Sequence, residues 1–372
     1  MLQRLVRQLM QQIRQTRRGL MGIALVLGLL VALGFGGIAK YWGKSTPMAS
    51  RHRPVATAAA VEYPSVNAER LWSTLGELSH TRYEEAERNQ IRSYLVATLE
   101  SAGWATRQQV FRKRVNGKTY EGINIIAESV DPCSTSFGQA EQIWPDQDSS
   151  NHSTVKVQVC QAAPSPLLIG AHYDAVLGSP GADDNATGMA ALLEIAHLFS
   201  PLHASVPLKL VLFDWEEAGL WGSRAFVADP NETAALSGAV ILEMLGYRCQ
   251  VEGCQQYPPL PIRPPTQRGD FLAVVGDRTH PDLTRAFQHI DSDIPIYTLS
   301  VPTFGGLSPD LLRSDHVPFW QQGIGAVMVT DTANFRNPHY HQESDRPDTL
   351  DPEFLTAATQ SIVNVILQLS AS

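Results

Sequence analysis

Between Leu167 and Tyr247 the chain repeats one arrangement three times: a short apolar run that stops abruptly at a histidine or an acid. Leu167–Ala171 ends at His172, Leu208–Phe213 runs into Asp214 and the pair Glu216-Glu217, and Ala239–Leu242 ends at Glu243. Such runs, rich in Leu, Val and Ile, are too short for core helices and suit strands covered on both faces. In an open α/β sheet the chemistry gathers at the carboxyl ends of the strands, so these polar ends are expected to meet in space. The expected fold is therefore a three-layer α/β/α sandwich around a mostly parallel mixed sheet.

The rest of the pattern agrees with alternating elements. From Arg82 to Ala102, Ile91, Tyr94, Leu95, Val96 and Leu99 recur at helical spacing before Gly103. Thr106–Arg114 and Tyr120–Glu128 flank Asn116-Gly117, a two-residue hairpin turn. A helix is expected from about Asn185 to Phe199, strands at Phe271–Val275, Ile296–Leu299 and Gly325–Thr330, and a helix over Pro352–Leu369. The polar stretch Ser134–Thr154 reads as a surface loop, and no sequence repeat of fixed period runs through the chain.

The N-terminus differs in kind. Gly19–Ala39 holds 21 residues without a charge, enough for a helix to cross a bilayer core of about 20 residues. One N-terminal transmembrane helix is expected, an uncleaved signal anchor at 19–39, with a basic cytoplasmic segment at 1–18, a linker at 40–60 and the folded domain at 61–372. Arg17-Arg18 also permits a cleaved twin-arginine signal. Five basic residues precede the apolar segment and four follow it, a small positive-inside bias. The cysteines bear on sidedness. Cys249 and Cys254 bound a loop that a disulfide would staple, and Cys133 and Cys160 bracket a polar insertion. Two such pairs without a CxxC ribbon point to an oxidising compartment, with the domain outside the cytoplasm; four buried thiols are the alternative. All nine Lys and Arg before Glu62 belong to the anchor region, which leaves 20 basic against 37 acidic residues, a formal charge of −17. That field excludes nucleic acid as a partner.

Each polar motif has a chemical and a structural reading. His172 offers an imidazole nitrogen to a metal, and Asp174, two residues along, lies on the same side to hold the other ring nitrogen. Asp183 and Asp184 in GADDNATG sit at a turn opening a helix, where Asp184 or Asn185 serves equally well as a cap. Adjacent Glu216 and Glu217 at a strand end are costly as like charges unless a cation or proton is shared; one as ligand and one as base resolves this.

Together, HYD, GADDNATG, EEAGLWGS, LEMLGY, SDHVPFW and NPHYHQESDRPDTLD resemble the co-catalytic zinc aminopeptidases, a family that takes in secreted bacterial leucyl aminopeptidases, aminopeptidase Y and glutamate carboxypeptidase II, and more distantly glutaminyl cyclase. The likeness spans roughly Asn67 to Gln368. It implies two zinc ions per chain, with His172 on one, Asp183 bridging both, Glu217 and His341 on the second, and Glu243 completing the first, where relatives commonly have Asp. It implies Asp174 as the partner of His172, Glu216 as the general base, and a non-proline cis peptide ahead of Asp184. Asp315 and His316 fall where relatives place a polar pair near substrate. His339 competes with His341, which the family pattern favours because Tyr340 precedes it and Asp345 and Asp348 follow.

The function so implied is a membrane-anchored zinc aminopeptidase acting on peptides with a free N-terminus, through a metal-activated water and Glu216. Two alternatives stand beside it. A glutaminyl-cyclase-like acyltransferase is disfavoured by the paired acids and glycine of GADDNATG, and an inactive interaction ectodomain by the intact acid and histidine set.

Overall fold

The structure, a computed structural model, describes residues 42–45, 64–129, 165–202, 206–259, 264–302 and 308–370. The expected anchor at 19–39, the loop at 134–154 and the pair Cys133/Cys160 lie outside them. Among the described residues no helix is long and apolar enough to cross a membrane.

Among the described residues nine strands form one sheet: β1 (Trp42–Ser45), β2 (Trp104–Val115), β3 (Lys118–Ser129), β4 (Leu167–His172), β5 (Leu208–Phe213), β6 (Gly238–Glu243), β7 (Leu272–Asp277), β8 (Ile296–Val301) and β9 (Ala326–Thr330). Their order is β1-β8-β7-β9-β6-β4-β5-β3-β2. Strands β5, β4, β6 and β9 run parallel in the centre. On one flank β3 and β2 add antiparallel, the pair joined by a tight Asn116-Gly117 turn that only antiparallel strands accommodate; on the other, β7 runs antiparallel to β9, β8 parallel to β7 and β1 antiparallel to β8. Four of the eight pairings are therefore parallel, so the sheet is evenly mixed where a mostly parallel one was expected. In the centre, His172 pairs with Phe213 and Glu243 with Thr330, which brings the polar strand ends to one level.

Side chains alternate between two cores, as the two-residue period of a strand requires. Ile169, Leu210, Leu212, Val240 and Leu242 face α1 (Ala68–Leu78), α2 (Glu85–Ser101), α3 (Gly188–Phe199), α5 (Pro281–His289) and α7 (Pro352–Ser370). Leu168, Val211, Phe213 and Ile241 face α4 (Trp221–Val227) and α6 (His316–Gln321), where Phe213, Phe226 and Phe319 pack with centroids 5.8 to 6.3 Å apart. The sandwich thus has two helical layers, one thick and one thin. Helix α1 was not anticipated. Asn67 caps it through Arg70 N–H, and Leu71, Leu75 and Leu78 bury its inner face, each contributing about 2 kcal/mol.

Candidate metal centre and active site

Side chains from the ends of β4, β5 and β6 and from the loop after β9 converge in two groups that share one carboxylate. His172, Asp184 and Glu243 form the first; Asp184, Glu217 and His341 form the second; the ligand atoms of each lie within 4.8 Å of one another. His172 Nε2 is 3.2 Å from Asp184 Oδ1 and 3.5 Å from Glu243 Oε1. His341 Nε2 is 3.1 Å from both Asp184 Oδ2 and Glu217 Oε2. These approaches do not line up as hydrogen bonds: His172 Nε2, His341 Nε2 and Glu217 Oε1 are buried polar atoms without a hydrogen-bond partner. Lone pairs of imidazole and carboxylate aimed at a common point are the donor set that zinc takes, so these residues fit two ions sharing Asp184.

The charge balance carries the same message. Burial disfavours a cationic His341, yet contact with the Asp184 and Glu217 carboxylates holds its pKa up at about 10. Burial, followed by the Asp184 charge, raises Glu217 to about 7. Burial also opposes protonation of His172, and Glu243 and Glu216 outweigh it to raise its pKa well above the usual imidazole range. This many buried acids around two imidazoles call for compensating positive charge.

The expected bridge, Asp183, is elsewhere. Its Oδ1 accepts from Gly246 N–H at 2.9 Å and its Oδ2 from Asn337 Nδ2 at 2.7 Å, and burial followed by the neighbouring Asp331 raises its pKa well above the carboxylate range. The carboxylate common to both groups belongs to the next residue, Asp184, because in the turn 182–187 the Asp183 side chain meets Asn337 while that of Asp184 meets His172 and His341. The cis peptide likewise joins Asp184 to Asn185, one bond beyond its expected place.

Three buried charged residues hold these ligands in place, and one of them, Arg82, carries no signal in the sequence. The Asp345 carboxylate accepts from the N–H groups of Asp183 and Asp184, at 2.9 and 3.1 Å. Asp174 does the same for Glu216 and Glu217, at 3.0 and 3.2 Å. The ring of His172 meets the Asp174 backbone carbonyl at 3.2 Å and its carboxylate only at 3.5 Å, so the side chain expected to orient the histidine mainly orients the glutamates. Arg82, fully buried, donates to the carbonyls of Leu78, His80, Tyr173, Pro180, Gly181 and Asp184, tying the His172 strand end to the Asp184 turn. Gly181 is required there: φ is +58°, and a Cβ would lie 2.5 Å from the Arg82 Nη2. Trp215, Met244 and His341 have positive φ, +57°, +53° and +60°, so strained backbone flanks or carries the ligands on three separate loops.

Glu216 belongs to neither group. It is buried beside them, and desolvation raises its pKa well above the usual range. His316 is a packing residue: its Nε2 meets Leu311 O at 3.0 Å, its ring stands edge-on to Trp320, and burial depresses it to about 4. Asp315 is buried and raised by burial to about 7, near enough to His172 and Ser223 for both to hold it lower than burial alone would. His339 meets Ser344 Oγ at 2.9 Å and joins neither group. An open cleft over the site is lined by Asp184, Glu216, Glu217, Leu220, Arg224 and His341. Past Glu243 and Tyr340 lies an apolar cavity floored by Phe271, Ala273, Val275, Leu299 and Met328.

The sequence profile of peptidase family M28 matches residues 154–366. YfbL, an uncharacterised protein of Escherichia coli, is 35% identical over 220 residues, 54% of this chain and 66% of that one. Aminopeptidase YwaD of Bacillus subtilis is 27% identical over 236 residues, 60% of this chain and 46% of its own length. The chain thus spans less than two thirds of each of these two relatives. The LapA aminopeptidase of Legionella pneumophila has the same fold, with a TM-score of 0.57 at 18% identity over 87% of this chain and 79% of that one. The chain belongs to peptidase family M28.

Proposed function

We propose that this M28 peptidase is a zinc-dependent aminopeptidase that removes apolar N-terminal residues from peptides. The observation that carries the reading is the shared Asp184: two ligand groups joined by one carboxylate, beside a buried acid that joins neither, with an apolar cavity on one side and an open cleft on the other. His172, Asp184, Glu243, Glu217 and His341 would hold two zinc ions, which when bound supply Lewis acidity and lower the pKa of a water.

The chain's own groups do the rest. Glu216 has a raised proton affinity, so it suits taking a proton from the attacking water and passing it to the departing amine. Tyr340 stacks on His341 at 3.7 Å and accepts from Arg313 at 2.9 Å, leaving its own hydroxyl proton to donate toward the peptide carbonyl. The sheet forms the floor of the cavity, so it suits one side chain rather than a continuing chain, and the remainder of the peptide leaves along the Leu220 and Arg224 side. An acidic domain also favours a cationic N-terminus.

The test is a panel of aminoacyl anilides with the purified full-length chain. Leu and Phe anilides are expected to be cleaved, their N-acetylated forms to resist, and a chelator to stop turnover until zinc is returned. Cleavage of blocked peptides at internal bonds would refute the aminopeptidase assignment. Release of ammonia from N-terminal Gln without peptide cleavage would indicate the cyclase.

We propose further that the domain works outside the cytoplasm, held at the membrane by 19–39. The Cys249–Cys254 disulfide supports this reading. Alkylation of protein from its native host, without reductant, is expected to leave both cysteines unlabelled; labelling of both would argue for a reducing compartment.

A further inference from the structure

The apolar cavity beyond Glu243 has a wall that is not part of the sheet. Gln255, Gln256, Tyr257 and Pro258 form it, on the loop that leaves β6 and returns to β7. A loop placed beside a specificity cavity needs a fastening, and here one side chain supplies most of it. Arg336, only 5% exposed, donates through Nε to Gln255 Oε1 at 2.9 Å, through Nη1 to Tyr247 O at 3.3 Å and through Nη2 to Phe271 O at 3.0 Å. Its guanidinium also lies 4.6 Å from the centroid of the Phe271 ring, which is cavity floor. Three acceptors at three points of the β6–β7 connection suit the planar fork of an arginine and exceed what the single ammonium of a lysine reaches at once.

Gln255 completes the fastening from its other end. It is 4% exposed and donates to Thr332 Oγ1 at 2.9 Å, while Gln256 N–H donates to Phe335 O at 2.6 Å. The Cys249–Cys254 disulfide closes the same loop. Cys249 exchanges both backbone hydrogen bonds with Gly269, at 2.9 and 2.8 Å, and Gln255 N–H reaches Gln267 O at 3.1 Å. A Cβ on Gly269 would lie 2.6 Å from both Arg336 Nε and Cys249 Sγ, so guanidinium and disulfide are packed against one glycine. Arg336 does not itself line the cavity and is absent from both ligand groups.

We propose that Arg336 is a positioning residue for substrate selection: together with the Cys249–Cys254 disulfide it holds the Gln255–Pro258 wall against the apolar cavity, so that the cavity discriminates among N-terminal side chains. This rests on the aminopeptidase reading above, in which that cavity takes the first side chain of the peptide. Because none of its acceptors belongs to a metal ligand or to Glu216, loosening the clamp weakens binding of large apolar side chains and leaves the chemical step intact. Loss of a side chain that braces the wall lets a well-packed pocket relax and forfeits the discrimination that apolar contact supplies, on the order of 10-fold.

The experiment compares Ala, Leu and Phe anilides on wild type, Arg336→Lys, Arg336→Met and the double variant Cys249→Ser/Cys254→Ser, all full length, with bound zinc measured in parallel. The expected result is a KM for Leu and Phe raised about 10-fold in Arg336→Met and in the double cysteine variant, a smaller rise in Arg336→Lys, little change for Ala, and kcat and zinc content as in wild type. A uniform fall in kcat across all three substrates, loss of zinc, an unchanged KM, or failure of both the arginine and the cysteine variants to fold overturns the proposal, leaving Arg336 a general strut. A wild type inactive on every anilide refutes the underlying activity instead, a result distinct from an active wild type whose variants show no split.

Discussion

Asp184→Asn is expected to lose bound zinc from both positions and to lower activity by at least about 10²-fold, while Asp183→Asn retains its metal. Asp184 is the one carboxylate common to both ligand groups, with an oxygen at 3.2 Å from His172 and the other at 3.1 Å from His341. Even residues that only orient ligands typically change metal affinity by roughly 10- to 100-fold, so removing a shared ligand should exceed that. Asp183 faces Gly246, Asn337 and Asp331 instead, and burial favours its neutral form, so an amide of the same shape preserves much of its surroundings. Metal analysis after dialysis against a weak chelator decides between them. If Asp183→Asn emerged metal-free and Asp184→Asn fully loaded, the assignment of the bridge would be reversed.

Glu216→Gln should reduce kcat by on the order of 10² to 10⁴-fold with zinc still bound. Its carboxylate lies in neither ligand group, and its backbone is fixed by Asp174 whatever the side chain carries. Glutamine fills the same volume but cannot accept a proton at neutral pH. Single-turnover rates with the metal content measured on the same sample separate a lost base from a lost ion. Wild-type turnover by a folded, zinc-loaded Gln variant would remove Glu216 from the mechanism.

Much of this molecule was legible before any coordinates, where local pattern and burial coincide. The strand Leu208–Phe213 has the bounds its apolar run predicts, and Pro352–Ser370 exceeds the expected helix by one residue. The Asn116-Gly117 turn is where a pair of positive-φ residues was expected, at +48° and +81°. The polar strand ends at His172, Glu216-Glu217 and Glu243 were rightly expected to converge, since parallel strands in register bring their carboxyl ends to one edge. The short helices Pro281–His289 and His316–Gln321 leave no such mark, because over so few turns helical periodicity does not stand out from loop sequence.

What the sequence by itself determined was the set of residue types and the strand ends that carry them: two histidines, the Glu216-Glu217 pair, Glu243 and an aspartate of the 183–184 pair. Only the tertiary structure decided which aspartate meets both histidines, because neighbours in a tight turn point opposite ways and the choice depends on where Asn337 and Asp331 sit after folding. It also decided the supports. Arg82 lies roughly a hundred residues before the turn it binds, and Asp345 more than 160 after it, so no local period or spacing connects them. Their acceptors and donors are backbone carbonyls and amides, which every residue possesses, and only packing selects the ones a buried guanidinium or carboxylate meets.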